Sequence, residues 1–113
     1  MKEIKAFVRT TKAREVHKAL KANGYCCMTL TECEGTGKYT DPEENFPSFK
    51  FPFMHSKVVK IEIVCRDAEV ESIVKIIQES SKTGHPGDGI IYTVGVAQAY
   101  KVKNEQTGVE AIL

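Results

Sequence analysis

Residues 2–9, KEIKAFVR, put Ile4, Ala6 and Val8 on one side of the backbone, the two-residue alternation of a strand with one buried face. The period then changes. In TTKAREVHKALKANG, 10–24, Ala13, Val16, Ala19, Leu20 and Asn23 recur at helical spacing, and Gly24 supplies a left-handed stop. Alternation returns in CCMTLTEC, 26–33, which predicts a second strand. After a long interruption, KVVKIEIVCRD, 57–67, sets Val59, Ile61, Ile63 and Cys65 against Lys60 and Glu62, the strongest strand pattern in the chain. Asp67 is placed to cap the helix AEVESIVKIIQESSK, 68–82, where Val70, Ile73, Val74 and Ile77 form an apolar stripe and Glu69 and Glu71 suit the first turn. IIYTVGV, 90–96, predicts a fourth strand.

Strand-helix-strand, loop, strand-helix-strand predicts one α+β domain over 1–113, a ferredoxin-like βαββαβ with both helices on one face of an antiparallel sheet. The other face would be bare, and strands this apolar suggest that another subunit covers it. A chain of 113 residues holds one modest core. At 42% hydrophobic and 27% charged residues with a net charge of +1, neither sign of charge points to nucleic acid or a membrane surface. The N-terminus lacks an apolar leader and no stretch approaches a membrane span, so a cytoplasmic protein without membrane insertion is expected. In that reducing setting Cys26, Cys27, Cys33 and Cys65 read as free thiols, with Cys33 and Cys65 standing in for apolar strand residues. His17, His55 and His85 are scattered, and no metal site is assigned.

Two loops exceed what connection requires. ECEGTGKYTDPEENFPSFKFPFMHSK, about 32–57, is far longer than a link between two strands, and such loops are functional or disordered. Its glycines Gly35 and Gly37 allow close backbone approach beside Lys38, which suits a phosphate; the alternative is a flexible hinge. TGHPGDG, 83–89, offers either an anion-binding nest of amides or a tight turn fixed by Asp88. Lys101 and Lys103 alternate in YKVKN, which on an extended segment sets two ammonium groups on one side. Together these features suit a nucleotide cleft at a subunit boundary.

KVVKIEIVCRD, the block TGHPGDGIIYTV and the run ECEGTGK from 32 resemble the PII signal-transduction family over nearly the whole chain. The resemblance implies a homotrimer with inward-facing sheets and three intersubunit clefts for adenine nucleotides: ATP, ADP or AMP, with or without magnesium. It implies a regulator, not an enzyme, with no catalytic residue and no resident cofactor. Carried over by position, nucleotide contacts fall on Thr29, Gly35, Thr36, Gly37, Lys38, Val64, Gly87, Asp88, Gly89 and Ile90, with phosphate-binding cations at Lys101 and Lys103. The long loop, about 36–56, corresponds to the family's T-loop, which docks on a transporter or a nitrogen-metabolism enzyme.

Departures from the family pattern carry their own expectations. Lys101 and Lys103 are usually arginines, and lysine keeps the charge without the bidentate fork. The family's lysine after G-D-G is Ile90, which should shift preference toward fewer phosphates. The glutamine that helps hold magnesium and 2-oxoglutarate is Tyr39, so 2-oxoglutarate sensing should be lost. The uridylylated tyrosine and phosphorylated serine fall on Phe51 and Phe49, which have no oxygen to modify. FPSFKFPF, 46–53, instead offers Phe46, Phe49, Lys50, Phe51 and Phe53 as partner anchors stiffened by Pro47 and Pro52, or as a satellite core folded onto its own trimer. Two further readings are a metal-responsive trimer akin to divalent-cation-tolerance proteins, using Cys26, Cys27, Cys33, His55 or His85, and an acylphosphatase-like hydrolase. The second is disfavoured because Arg9, Arg14 and Arg66 are the only arginines. The tail NEQTGVEAIL, 104–113, is compatible with a flap over the cleft or a frayed end.

Overall fold

A computed structural model of the chain describes residues 1–37 and 41–113. Strands β1 (Lys2–Arg9), β2 (Thr29–Gly35), β3 (Ser56–Cys65) and β4 (Ile90–Gly95) form one sheet in the order β2-β3-β1-β4, with every neighbouring pair antiparallel. Helices α1 (Ala13–Ala22) and α2 (Val70–Ser81) cross over between strands, and a short α3 (Val109–Ile112) ends the chain. This is the expected ferredoxin-like α+β arrangement.

Register explains the core. Ile4 lies opposite Ile63 and Thr93, Ala6 opposite Ile61 and Ile91, and Val8 opposite Val59, so the apolar members of three strands share the face beneath the helices. Val16 and Leu20 of α1 and Ile73 and Ile77 of α2 close over them, all fully buried. At about 25 cal/mol per Å² of apolar surface, these side chains are the main source of stability.

The element ends differ from the sequence reading in ways that local hydrogen bonds explain. The second strand starts at Thr29 rather than 26, because α1 closes with Gly24 N–H on Lys21 O and Tyr25 N–H on Leu20 O, and 25–28 then carry the chain to the sheet. Asn23 is exposed at the helix end, where its amide donates to Ala19 O, instead of packing with Val16 and Leu20. Asp67 does not cap α2: it pairs with the N-terminal ammonium at 3.0 Å, while Glu69 Oε1 accepts from Arg66 N–H at 3.2 Å and Arg66 Nε at 3.1 Å. A single turn of 3₁₀ helix precedes each long helix, at Thr10–Lys12 and Asp67–Glu69. Lys101 and Lys103 lie at the bend of a small hairpin closed by the Tyr100–Thr107 bridge, so they do not alternate along an extended strand.

The sheet face away from the helices carries Phe7 stacked on Tyr92, with ring centroids 6.1 Å apart, and exposed Ile90, Val94 and Val64. At its centre Lys5 reaches both Glu3 and Glu62 at 3.3 Å, and Glu62 also pairs with Lys60 at 3.3 Å. Gly89 marks the closest approach. At φ +107°, a Cβ there would lie 1.7 Å from Phe7 O, whereas one at Gly84, φ +86°, would meet nothing within 4 Å. Gly89→Ala should therefore cost about 2–4 kcal/mol and Gly84→Ala about 1–2 kcal/mol. Urea unfolding midpoints measure the difference; equal losses would show that the Phe7 contact imposes no constraint.

Candidate functional site

β1 delivers Arg9 to the point where the two long loops meet. Its guanidinium donates to Asp41 Oδ2 at 2.7 Å, Asp88 Oδ1 at 3.0 Å and Pro86 O at 2.8 Å, with only 14% of the side chain exposed. The planar fork suits this three-way task in a way that an ammonium would not. Asp41, Glu44, Ser56 and Gly87 line a cavity of about 250 Å³ beside it.

Asp88 builds the 83–89 loop from within. Its carboxylate accepts from the backbone N–H of Thr83 and Gly84, both at 2.8 Å, and from the Thr83 hydroxyl, besides Arg9. Burial alone would raise this carboxyl, but the Thr83, Gly84 and Arg9 donors hold it well below the usual carboxylate range. Of the two readings of TGHPGDG, the turn is the one in which Asp88 is visibly engaged. Asp41 is likewise lowered, first by Arg9 and then by the Glu43 N–H that it accepts at 2.9 Å.

The distal half of the long loop folds back on itself. Phe46 and His55 exchange backbone hydrogen bonds at 2.8 and 3.2 Å, and inside that rung Ser48 N–H donates to Phe51 O at 2.9 Å. His55 is 0% exposed, enclosed by the rings of Phe46, Phe51 and Phe53 at centroid distances of 5.1, 5.6 and 5.8 Å. Its Nδ1 bonds Phe53 O at 2.7 Å, and because a carbonyl can only accept, Nδ1 carries the proton. Nε2 lies 3.4 Å from Glu34 Oε2 yet finds no hydrogen-bond partner of good geometry among the described residues. Phe49 stands at the tip, 106% exposed beside an exposed Lys50.

The expected nucleotide contacts are distributed around the single chain. Thr29 and Val64 share a cavity of about 540 Å³ near α3. Gly35 and Thr36 line another of about 350 Å³ with Phe7, Val58 and Tyr92. Asp88, Gly89 and Ile90 border an open groove along α2, Gly87 lines the Arg9 cavity, and Lys101 and Lys103 sit on the C-terminal hairpin. Gly37 has a left-handed φ of +73° at the loop base. Lys38 and Tyr39 lie outside the described residues.

Sequence reasoning did not single out Arg9 or Asp41, and it considered His55 only as a metal ligand. Arg9, one of three arginines and the last residue of β1, was the available signal. The metal reading gains no support. Among the described residues no three His, Cys, Asp or Glu side chains are placed to hold a metal ion, and Cys26 and Cys27 precede β2 while His55 lies beyond its far end.

A family model described as nitrogen regulatory protein P-II matches residues 1–106. The nitrogen regulatory protein P-II 2 of Methanothermobacter thermautotrophicus is 36% identical over 112 residues, spanning 99% of this chain and 97% of its own length. Those of Rhodospirillum rubrum and Rhizobium meliloti, each described as nitrogen regulatory protein P-II, are 33% and 30% identical over 99% of this chain and all of their own.

Two measurements probe this geometry. Because the folded-state value of Asp88 is depressed, its contribution is complete above the unfolded value of about 4 and is lost as pH falls through the folded value. Asp88→Asn should therefore lower stability at neutral pH and flatten the acid limb of a stability–pH curve measured below about pH 4; an unchanged limb would contradict the assignment. Phe51→Ser should open the loop hairpin, reducing amide-exchange protection at Phe46 and His55 by about tenfold, for about 1.4 kcal/mol of lost packing. Phe49→Ser should leave that protection unchanged, and a loss there equal to that of Phe51→Ser would mean that the tip also packs.

Proposed function

Because this chain belongs to the P-II family of nitrogen regulatory proteins, we propose that it is a non-enzymatic signal-transduction regulator that binds adenine nucleotides between the subunits of a cytoplasmic homotrimer and signals to a partner through its long loop. Among the described residues, no helix is long and apolar enough to cross a membrane.

One observation carries the proposal: Arg9 holds Asp41 of the signalling loop and Asp88 of the glycine-rich loop in a single cluster. A phosphate drawn to the 83–89 amides competes with Asp88 for donors and for the guanidinium. Any shift of Arg9 then alters its hold on Asp41. A nucleotide that binds one arrangement of this cluster better than the other biases the signalling loop by that difference in affinity.

Separation of Thr29 and Val64 from Gly87, Gly89 and Ile90 on one chain suits a cleft completed by a neighbour. Trimer packing of the Phe7–Tyr92 face would bring such half-sites together and cover the exposed apolar side chains. Lys101 and Lys103 supply positive charge for the phosphates, and Ile90 withdraws one cation. In the signalling loop, Phe46, Phe51 and Phe53 shape the hairpin around His55, and Phe49 with Lys50 is the element offered to a transporter or metabolic enzyme.

Calorimetric titration with ATP, ADP and AMP tests the reading. Micromolar binding is expected, with ADP or AMP preferred over ATP. Ile90→Lys should raise ATP affinity by roughly tenfold, the contribution of one charge-assisted contact. Absence of binding by all three would overturn the nucleotide assignment, and tight ATP-selective binding by the unaltered chain would overturn the role given to Ile90.

A further inference from the structure

Cys26 and Cys27 are both exposed, and their sulfurs lie 3.3 Å apart. We propose that they form a redox-responsive modification site, closing to a disulfide between adjacent residues by exchange with a small-molecule disulfide of the glutathione class.

The placement favours this pair over the other two thiols. Cys65 is buried in the core, and burial, then Glu69 and Asp67, push its thiol up. Cys33 is only partly exposed and lies within β2, roughly 13 Å past its first residue, Thr29. Cys26 and Cys27 occupy the segment between the glycine stop of α1 and the first residue of β2, outside both helix and strand. Bond formation needs the sulfurs to approach by little more than about 1 Å, to an S–S length of about 2.05 Å. Neighbouring Cα atoms about 3.8 Å apart are closer than the usual 4.4–6.8 Å of a disulfide, so the backbone must twist. Residues 25–28 have no helical or strand geometry to lose in doing so.

The exchange balances with one oxidant. A Cys26 thiolate attacks one sulfur of the small disulfide and expels a thiolate, leaving a mixed disulfide. Cys27, its proton released, attacks the Cys26 sulfur, closes the ring and expels the second thiolate. One S–S bond breaks and one forms, the pair gives up two electrons, and its two protons end on the two released thiols. The same balance holds with the two cysteines exchanged, since either sulfur can be the donor in their contact.

Both cysteines line the cavity that holds Thr29 and Val64. Ring closure therefore reshapes a wall of the proposed nucleotide cleft, a consequence that rests on the nucleotide reading, whereas the chemistry of the pair does not. The full chain is incubated with oxidised glutathione and the peptide containing 26 and 27 is weighed before and after reduction. Loss of two hydrogens within that peptide, without added glutathione, is expected; Cys26→Ser and Cys27→Ser should abolish it and Cys33→Ser should not. A stable glutathione adduct, a linked dimer or an unchanged mass would overturn the site. Adenylate titration of reduced and oxidised protein reads the coupling: a change in affinity of threefold or more supports it, and equal affinities overturn it. If the reduced protein binds no adenylate, the nucleotide reading and the coupling that rests on it fail together, while the mass result decides the thiol pair alone.

Discussion

A guanidinium with two carboxylates and a carbonyl around it is a demanding object, since its partners must be gathered from two loops distant in the chain. Arg9 meets Asp41, Asp88 and Pro86 at the end of β1 and so ties both loops to the sheet and to each other. The arrangement joins two structural scales. Asp88 folds its own turn through Thr83 and Gly84, and the same carboxylate passes that order to Arg9 and on to the base of the long loop. Removing one partner would leave a partly buried charge without its counter-charge, which is more costly than never having built the pair.

The aromatic run solves a separate problem. A loop with this much phenyl surface would invite nonspecific association if all of it faced water. Enclosing His55 hides part of that surface and lets the loop hold a shape of its own. Phe49, beside Lys50, protrudes furthest, while Phe53 and Met54 stay about half exposed. Of the two roles that the composition left open, the self-packed one is visible in Phe46, Phe51 and Phe53, which pack on His55 of their own loop.

Elements governed by periodicity were legible in the sequence. Ile4, Ala6 and Val8 declared one buried strand face, Val59, Ile61 and Ile63 another, and both helices followed from their stripes. The losses came where side-chain hydrogen bonds rather than periodicity set the structure. Nothing in the pattern tells Asp67 to prefer the N-terminal ammonium over the helix amides, or tells the chain to turn back at Asn104 and take Lys101 and Lys103 out of an extended line. Arg9 was illegible for the same reason: its partners are 32, 77 and 79 residues away. The glycines of 83–89 were recognisable, although only the coordinates reveal that Gly89 answers to Phe7 O.

The strand order β2-β3-β1-β4 also sets a timetable. β1 is made first and lies in the interior of the sheet, yet its two partners begin at Ser56 and Ile90. Until β3 is synthesised both of its edges are unsatisfied, and one remains so until β4 follows. Contacts of such long range slow folding and leave intermediates prone to pairing with the wrong strand. β2 and β3, joined through the long loop, can pair before β4 exists. The long loop is therefore also the connection of an early-forming hairpin, so changes to its length or stiffness act on the birth of the fold as well as on its finished surface.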